Sequence, residues 1–250
     1  AGGGVYTPTG RANLMPVRFT APEKRGRTYP FVLNTGRIRD QWHTMTRTGT
    51  TGRLSAHIAE PFAELHPEDA AVLGVGAADL VEVKSPHGRV TVRAQLTERV
   101  PKGSVFVPMH WTDQFASSAR IDAVVAPLTD PHSGQPGSKF TPVAARKAAM
   151  SWYGFAVLRQ RPIDIPADYW AIALVDGGYR LELAGSGETA FEDLARQLCG
   201  ASGEVLRFED AATGQLRLAV WQADRLEALF YFGPEPVAVS RTWACGLLGE

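Results

Sequence analysis

Apolar and polar positions alternate in blocks along this chain, and the blocks predict most of its elements. Phe31–Asn34 is a short apolar run of the buried-strand type, and it leads straight into a polar loop over 35–52. Leu54–Ile58 reads as a second short strand. Pro61–Gly74 contains a helix: Pro67 suits its first turn, Glu68 and Asp69 complement the positive end of its dipole, and Gly74 stops it. Asp79–Ser85 and Arg89–Leu96 alternate with period two around Pro86-His87-Gly88, the pattern of a hairpin with one buried face. Ser104–Met109 is a further strand, after which periodicity is lost until Pro142. Strand, helix, hairpin and strand without a long helical layer predict a compact β-barrel rather than a doubly wound sheet. Residues 1–26, rich in Gly, Pro and Arg, read as an extended lead-in with one short strand at Leu14–Phe19.

A second unit follows. Gly154 to Pro166 reads as a connection. Tyr169–Leu174 and Tyr179–Ala184 flank Asp176-Gly177-Gly178, a strong hairpin signal. Glu188–Leu198 is amphipathic, with Phe191, Leu194, Ala195 and Leu198 on one helical face and Gly200 as its stop. Val205–Asp210, Gln215–Trp221 and Glu227–Gly233 are strand candidates. The expectation is a mainly β chain: a barrel unit over 1–148 and a small α+β domain over 167–250.

Composition narrows the class. With 250 residues, 44% hydrophobic and 21% charged, a well-buried core is feasible. The formal net charge is zero, which argues against a general nucleic-acid binder. No apolar run is long enough for a membrane-spanning helix, so no membrane partner is expected, and Ala1-Gly2-Gly3-Gly4 shows no signal-peptide pattern. Cys199 and Cys245 are too few for a four-cysteine centre and read as thiols in a reducing, cytoplasmic setting. The abrupt ends suggest a piece of a longer protein.

The candidate chemistry lies in the loop after the first strand. Thr35 to Thr50 holds three arginines, one histidine, one tryptophan, five threonines and two glycines. Such a density of donors suits a large polyanion, with glycine allowing close backbone approach and arginine pairing phosphate oxygens. An ordinary polar turn with solvated arginines is the plainer reading. Two weaker clusters are Met109-His110-Trp111-Thr112, at a strand end, and Asp130–Lys139, a turn-rich loop. No Gly-x-Ser-x-Gly elbow is present, no histidine pair has zinc spacing, and no Gly-x-Gly-x-x-Gly follows a strand.

Three blocks together resemble a known family, the molybdopterin-dinucleotide-binding domain of molybdenum oxidoreductases, above all bacterial assimilatory nitrate reductases. They are Leu33–Arg37 with Gln41–Thr44 and Thr46, then Pro108–Trp111, then Ser133–Pro136 with Lys139. The helix at Leu65–Ala70 with Gly74, Asp79, Val81 and Val83 resembles the family's central portion, and Gly10-Arg11-Ala12 the segment leading into it. The resemblance implies a double-psi β-barrel and a molybdenum bis(molybdopterin guanine dinucleotide) cofactor. It implies that Thr35, Gly36, Arg37, Gln41, Trp42, His43, Thr44 and Thr46 line one pterin dinucleotide, that His110 and Trp111 close over it, and that Gln135 and Lys139 reach its pterin end. The metal ligand and iron–sulfur clusters of the parent enzyme would lie upstream, outside this chain, in domains that partner it. Residues 151–250 resemble, through Asp224–Phe230, Gly233-Pro234 and Ser240-Arg241, the region after the barrel in assimilatory nitrate reductases. Two alternatives stay open: another oxidoreductase of the superfamily, such as a formate dehydrogenase, or a non-enzymatic double-psi barrel used as an interaction module.

Overall fold

A computed structural model describes residues 3–14, 16, 23–200 and 203–249. The strand expected at Leu14–Phe19 lies outside these residues, apart from Leu14 and Pro16. Six strands close into a barrel: β1 (Phe31–Gly36), β2 (Phe62–Leu65), β3 (Leu80–Lys84), β4 (Arg89–Leu96), β5 (Ser104–Pro108) and β6 (Thr141–Lys147). Their order is β1-β5-β2-β4-β3-β6, and β6 pairs back onto β1. Two pairs are parallel, β1 with β5 and β2 with β4; the others are antiparallel. Closure leaves the barrel no open edge. Inside, Leu33, Leu65, Val81, Val83, Val92, Val105 and Val107 are fully enclosed. Short helices α1 (Gly52–Ser55) and α2 (Pro67–Leu73) lie outside the barrel strands, α2 with Pro67 in its first turn, His66 accepting the Glu68 N–H as its N-cap, and Gly74 closing it at φ 64°.

The second unit is a six-stranded antiparallel sheet in the order β10-β11-β12-β7-β9-β8. Its strands are β7 (Trp152–Leu158), β8 (Tyr169–Val175), β9 (Gly178–Gly185), β10 (Glu204–Asp210), β11 (Gln215–Gln222) and β12 (Arg225–Gly233). Helix α3 (Phe191–Cys199) covers one face through Leu194, Ala195 and Leu198. The other face meets α4 (Arg241–Gly246) and the barrel. The free edge of β8 is covered by the barrel's long loop: Ile172 N–H donates to the Phe115 carbonyl (2.9 Å) and Ser117 N–H to the Trp170 carbonyl (2.9 Å).

Four sequence expectations change. Leu54–Ile58 is not a strand; its first residues belong to α1, whose Gly52 sits against the Val175 backbone. Phe62–Leu65 and Thr141–Lys147 are strands the pattern did not show, because four residues are too few for a period and β6 begins Thr-Pro. Gly154–Pro166 is not wholly a connection: Trp152–Leu158 is a central strand, every residue buried between its two covered faces. Such a strand has no polar alternation to betray it. The second sheet therefore starts at Trp152 rather than 167. Finally, the non-periodic stretch after Trp111 is partly core: Trp111, Phe115, Ala116, Ile121 and Val124 are buried in it.

This topology places the protease-sensitive stretch after β7, where residues 159–167 are exposed or half-buried. Trypsin is expected to cut there after Arg159, since Arg161 precedes Pro162, and the nicked protein to elute as one species, because β7 stays paired with β9 and β12. Separation of the two pieces on native size-exclusion chromatography would overturn this architecture.

Candidate functional site

Parallel pairing brings the C-terminal ends of β1 and β5 side by side, with Gly36 opposite Pro108. Both exits open at one end of the barrel, the position where ligands sit in parallel sheets. From β1 emerges the donor-rich loop; from β5 emerge Met109, His110 and Trp111. Met109 N–H donates to the Gly36 carbonyl (3.0 Å), extending the pairing beyond the strands. A Cβ on Gly36 would lie 3.0 Å from the Phe106 ring, so the backbone there is close-packed.

His110 is 0% exposed and anchors the loop through both ring nitrogens. Its Nε2 accepts the Ile38 N–H (3.0 Å), and its Nδ1 lies 2.6 Å from the His43 carbonyl. An N–H donor at one nitrogen and a carbonyl at the other fix the neutral Nδ1–H tautomer. Burial holds its pKa below the ordinary imidazole value, and the charge of Arg37 acts in the same direction, against the hydrogen bond to His43. The anchor holds an unusual backbone: His43 (φ 47°) and Met45 (φ 60°) are left-handed without being glycine. Each such residue costs on the order of 1 kcal/mol. Met45 is buried, which helps fix the turn, and Gly49 is needed because a Cβ would lie 2.5 Å from the Phe115 ring.

The loop's outward side carries the donors. Arg37, Trp42, His43, Thr44 and Thr46 are exposed. The Arg37 guanidinium lies 5.5 Å from the Trp42 ring centre, and Trp42 meets His43 edge-on at 4.7 Å. Thr44 and Thr46 hydroxyls lie 3.0 Å apart. Gln41 is only 3% exposed; its carbonyl accepts the Thr48 hydroxyl (2.6 Å), while its buried Nε2 has no partner. The third cluster joins through Lys139 and Ser138. Thr35 donates its hydroxyl to the Ser138 carbonyl (3.1 Å), and Lys139 Nζ donates to the Thr35 carbonyl. Gln135 sits on an exposed turn, pinned by Asp130, which accepts N–H bonds from His132 (3.0 Å) and Ser133 (2.7 Å).

Trp111 is 1% exposed and belongs to the buried apolar cluster that joins the barrel to the second sheet. His110 faces the loop backbone from beneath. Sequence reasoning also missed Ile38, Ser138 and Met45 as parts of the site; two act through backbone atoms, which no side-chain pattern reports. Among the described residues no group of three His, Cys, Asp or Glu side chains is arranged to hold a metal ion.

Replacing His110 by alanine removes both anchors and should cost roughly 2–4 kcal/mol in denaturant unfolding. The wild-type dependence on pH follows from the depressed folded-state pKa. The unfolded imidazole takes up its proton first, so stability is full above the ordinary value of about 6.5 and falls on acidification through it. Between pH 7.5 and 5.5 this contribution should be on the order of 1 kcal/mol, and His110→Gln should abolish it. Equal pH slopes in the two proteins would exclude this role.

Comparison with known proteins agrees with the geometry. Residues 31–142 match the family described as Molydopterin dinucleotide binding domain. A nitrate reductase of Klebsiella oxytoca is 38% identical over 240 residues, covering 94% of this chain and 27% of that protein. The F420-dependent formate dehydrogenase subunit alpha of Methanocaldococcus jannaschii is 41% identical over 43% of this chain and 16% of its own length. The assimilatory nitrate reductase catalytic subunit of Bacillus subtilis is 36% identical over 47% of this chain and 16% of its own length. The chain thus spans about a quarter or less of the length of these relatives.

Proposed function

From the premise that residues 31–142 belong to the molybdopterin-dinucleotide-binding family, we propose that this chain grips the cofactor of a molybdenum-dependent nitrate reductase. The observation that carries the reading is the loop from Arg37 to Gly49, held at the joint exit of β1 and β5 with its arginine, indole, imidazole and threonine donors facing outward.

The residues present fit a phosphorylated pterin. Arg37 and Lys139 supply positive charge at the strand ends. Trp42 is 52% exposed and offers a ring face as well as an N–H. The orphaned Nε2 of Gln41 is a buried donor in want of an acceptor, as expected of a group awaiting a ligand. The donor face is open, whereas a bound cofactor is normally enclosed over most of its surface. Upstream domains of the parent, carrying iron–sulfur clusters in the cytoplasm, would supply the other wall. The group itself, proposed as molybdenum bis(molybdopterin guanine dinucleotide), supplies the two-electron chemistry that turns nitrate into nitrite. The chain's own residues bind, orient and shield it. His110 and Trp111 support the loop from within, and Gln135 borders the pterin end.

Similarity to the formate dehydrogenase spans only 43% of the chain, whereas the Klebsiella nitrate reductase matches 94%, so both units are included. On this reading residues 1–148 form the cofactor unit, and the following sheet is a second unit that buttresses it.

In the full-length parent, Arg37→Ala should lower molybdenum and pterin content several-fold while leaving the unfolding midpoint unchanged, because the side chain is exposed. Metal analysis and pterin fluorescence after denaturation measure this. Unchanged pterin content would refute the phosphate-gripping role. Formate oxidation without nitrate reduction by the purified parent would replace nitrate with the other substrate.

A further inference from the structure

We propose that the cavity between the barrel and the second sheet is a binding site for a small planar monoanion of the carboxylate or nitrate type. It holds about 420 Å³ and is independent of the cofactor reading. Five charged side chains line it: Arg93 and Glu60 from the barrel unit, and Arg180, Glu182 and Arg241 from the sheet unit.

The carboxylates are already consumed. Glu182 is 3% exposed and accepts two bonds from Arg241 (3.0 and 2.8 Å) and one from Arg180 (2.8 Å). Burial raises its pKa, but bonding and charge from Arg241, then Arg180 and Arg93, hold it below the ordinary carboxylate range. Glu60 accepts from Arg93 Nε (3.1 Å) and from the Tyr169 hydroxyl (2.8 Å). Arg93 also donates to the Ala78 carbonyl (2.8 Å), and Arg241 to the carbonyls of Val237 and Val239 (2.6 and 3.0 Å). At the rim, His57 is paired with Asp40 (2.7 Å) and so supplies no counter-charge. Arg180 spends one terminal nitrogen on Glu182, while its Nε is enclosed and has no acceptor. Three guanidinia against two carboxylates leave one positive charge on the wall.

A net positive charge on a partly buried wall is costly, and an anion entering the cavity would offset it. A guanidinium edge favours a flat oxyanion over a spherical ion. Ile58, Phe62 and Leu183 supply apolar wall for a short carbon stem, so acetate-like and nitrate-like ions share the site's chemistry.

The test is thermal unfolding of the full chain titrated with sodium acetate or sodium nitrate, against chloride at constant ionic strength. The wild type should gain a few degrees, saturating at millimolar anion, and Arg180→Gln should lose the dependence while keeping its circular dichroism. The anion giving the lower half-saturation names the source, organic or inorganic. Should Arg180→Gln fail to fold, saturation-transfer NMR of acetate on the wild type, with nitrate as competitor, decides the matter: a displaceable signal supports the site. Equal response to chloride, an equal response in Arg180→Gln, or no displaceable acetate signal overturns it and leaves the charges as a clamp between the two units.

Discussion

A parallel strand pair sends both chains out at the same end of a sheet, and in this molecule the pair is β1 with β5 inside a closed barrel. Residues 37–103 separate these strands, so the juxtaposition of Gly36 with Pro108 is a product of barrel closure. Without it, the donor-rich loop would be an exposed excursion with no floor. With it, His110 lies directly beneath the loop and ties Ile38 and His43 to the end of β5. The neutral imidazole uses its one donor and one acceptor at once, and that bifunctional geometry lets non-glycine residues persist at positive φ.

The same economy of partners operates at the junction of the two units. The barrel does not merely precede the second sheet; its long loop completes the free edge of β8, and its Arg93 and Glu60 reach Glu182 and Tyr169 across the boundary. Charges buried at such a junction fix orientation more than they add stability, since desolvation offsets much of their attraction. The donor-rich end of the barrel and the sheet are therefore held in one relation.

Alternation made the β3–β4 hairpin legible, and Asp176-Gly177 announced the β8–β9 turn, where Gly177 takes φ 81°. Pro67 and Gly74 bracketed α2, and Gly200 stopped α3, for local reasons that survive any tertiary context. The elements that escaped were those whose identity depends on neighbours. β2 is four residues long, and β7 is apolar throughout because both of its faces are covered. Leu54 fell into a helical turn rather than a strand because the chain must pass over β8 there.

In the site, the chain order alone determined which side chains could carry chemistry: the crowding of arginine, tryptophan, histidine and threonine between Thr35 and Thr50 is a property of composition, visible without a fold. It also determined the local stops and turns, since these follow from backbone preferences of single residues. Only the tertiary structure decided which of those groups face outward and which are scaffolding. His110 and Trp111, about sixty residues downstream of the donor-rich loop, are enclosed beneath it, while Lys139 is carried to the end of β1 from a hundred residues away. The reason is physical: exposure and long-range hydrogen bonds are settled by how strands pair and what then covers them, and no short stretch of residues contains that information.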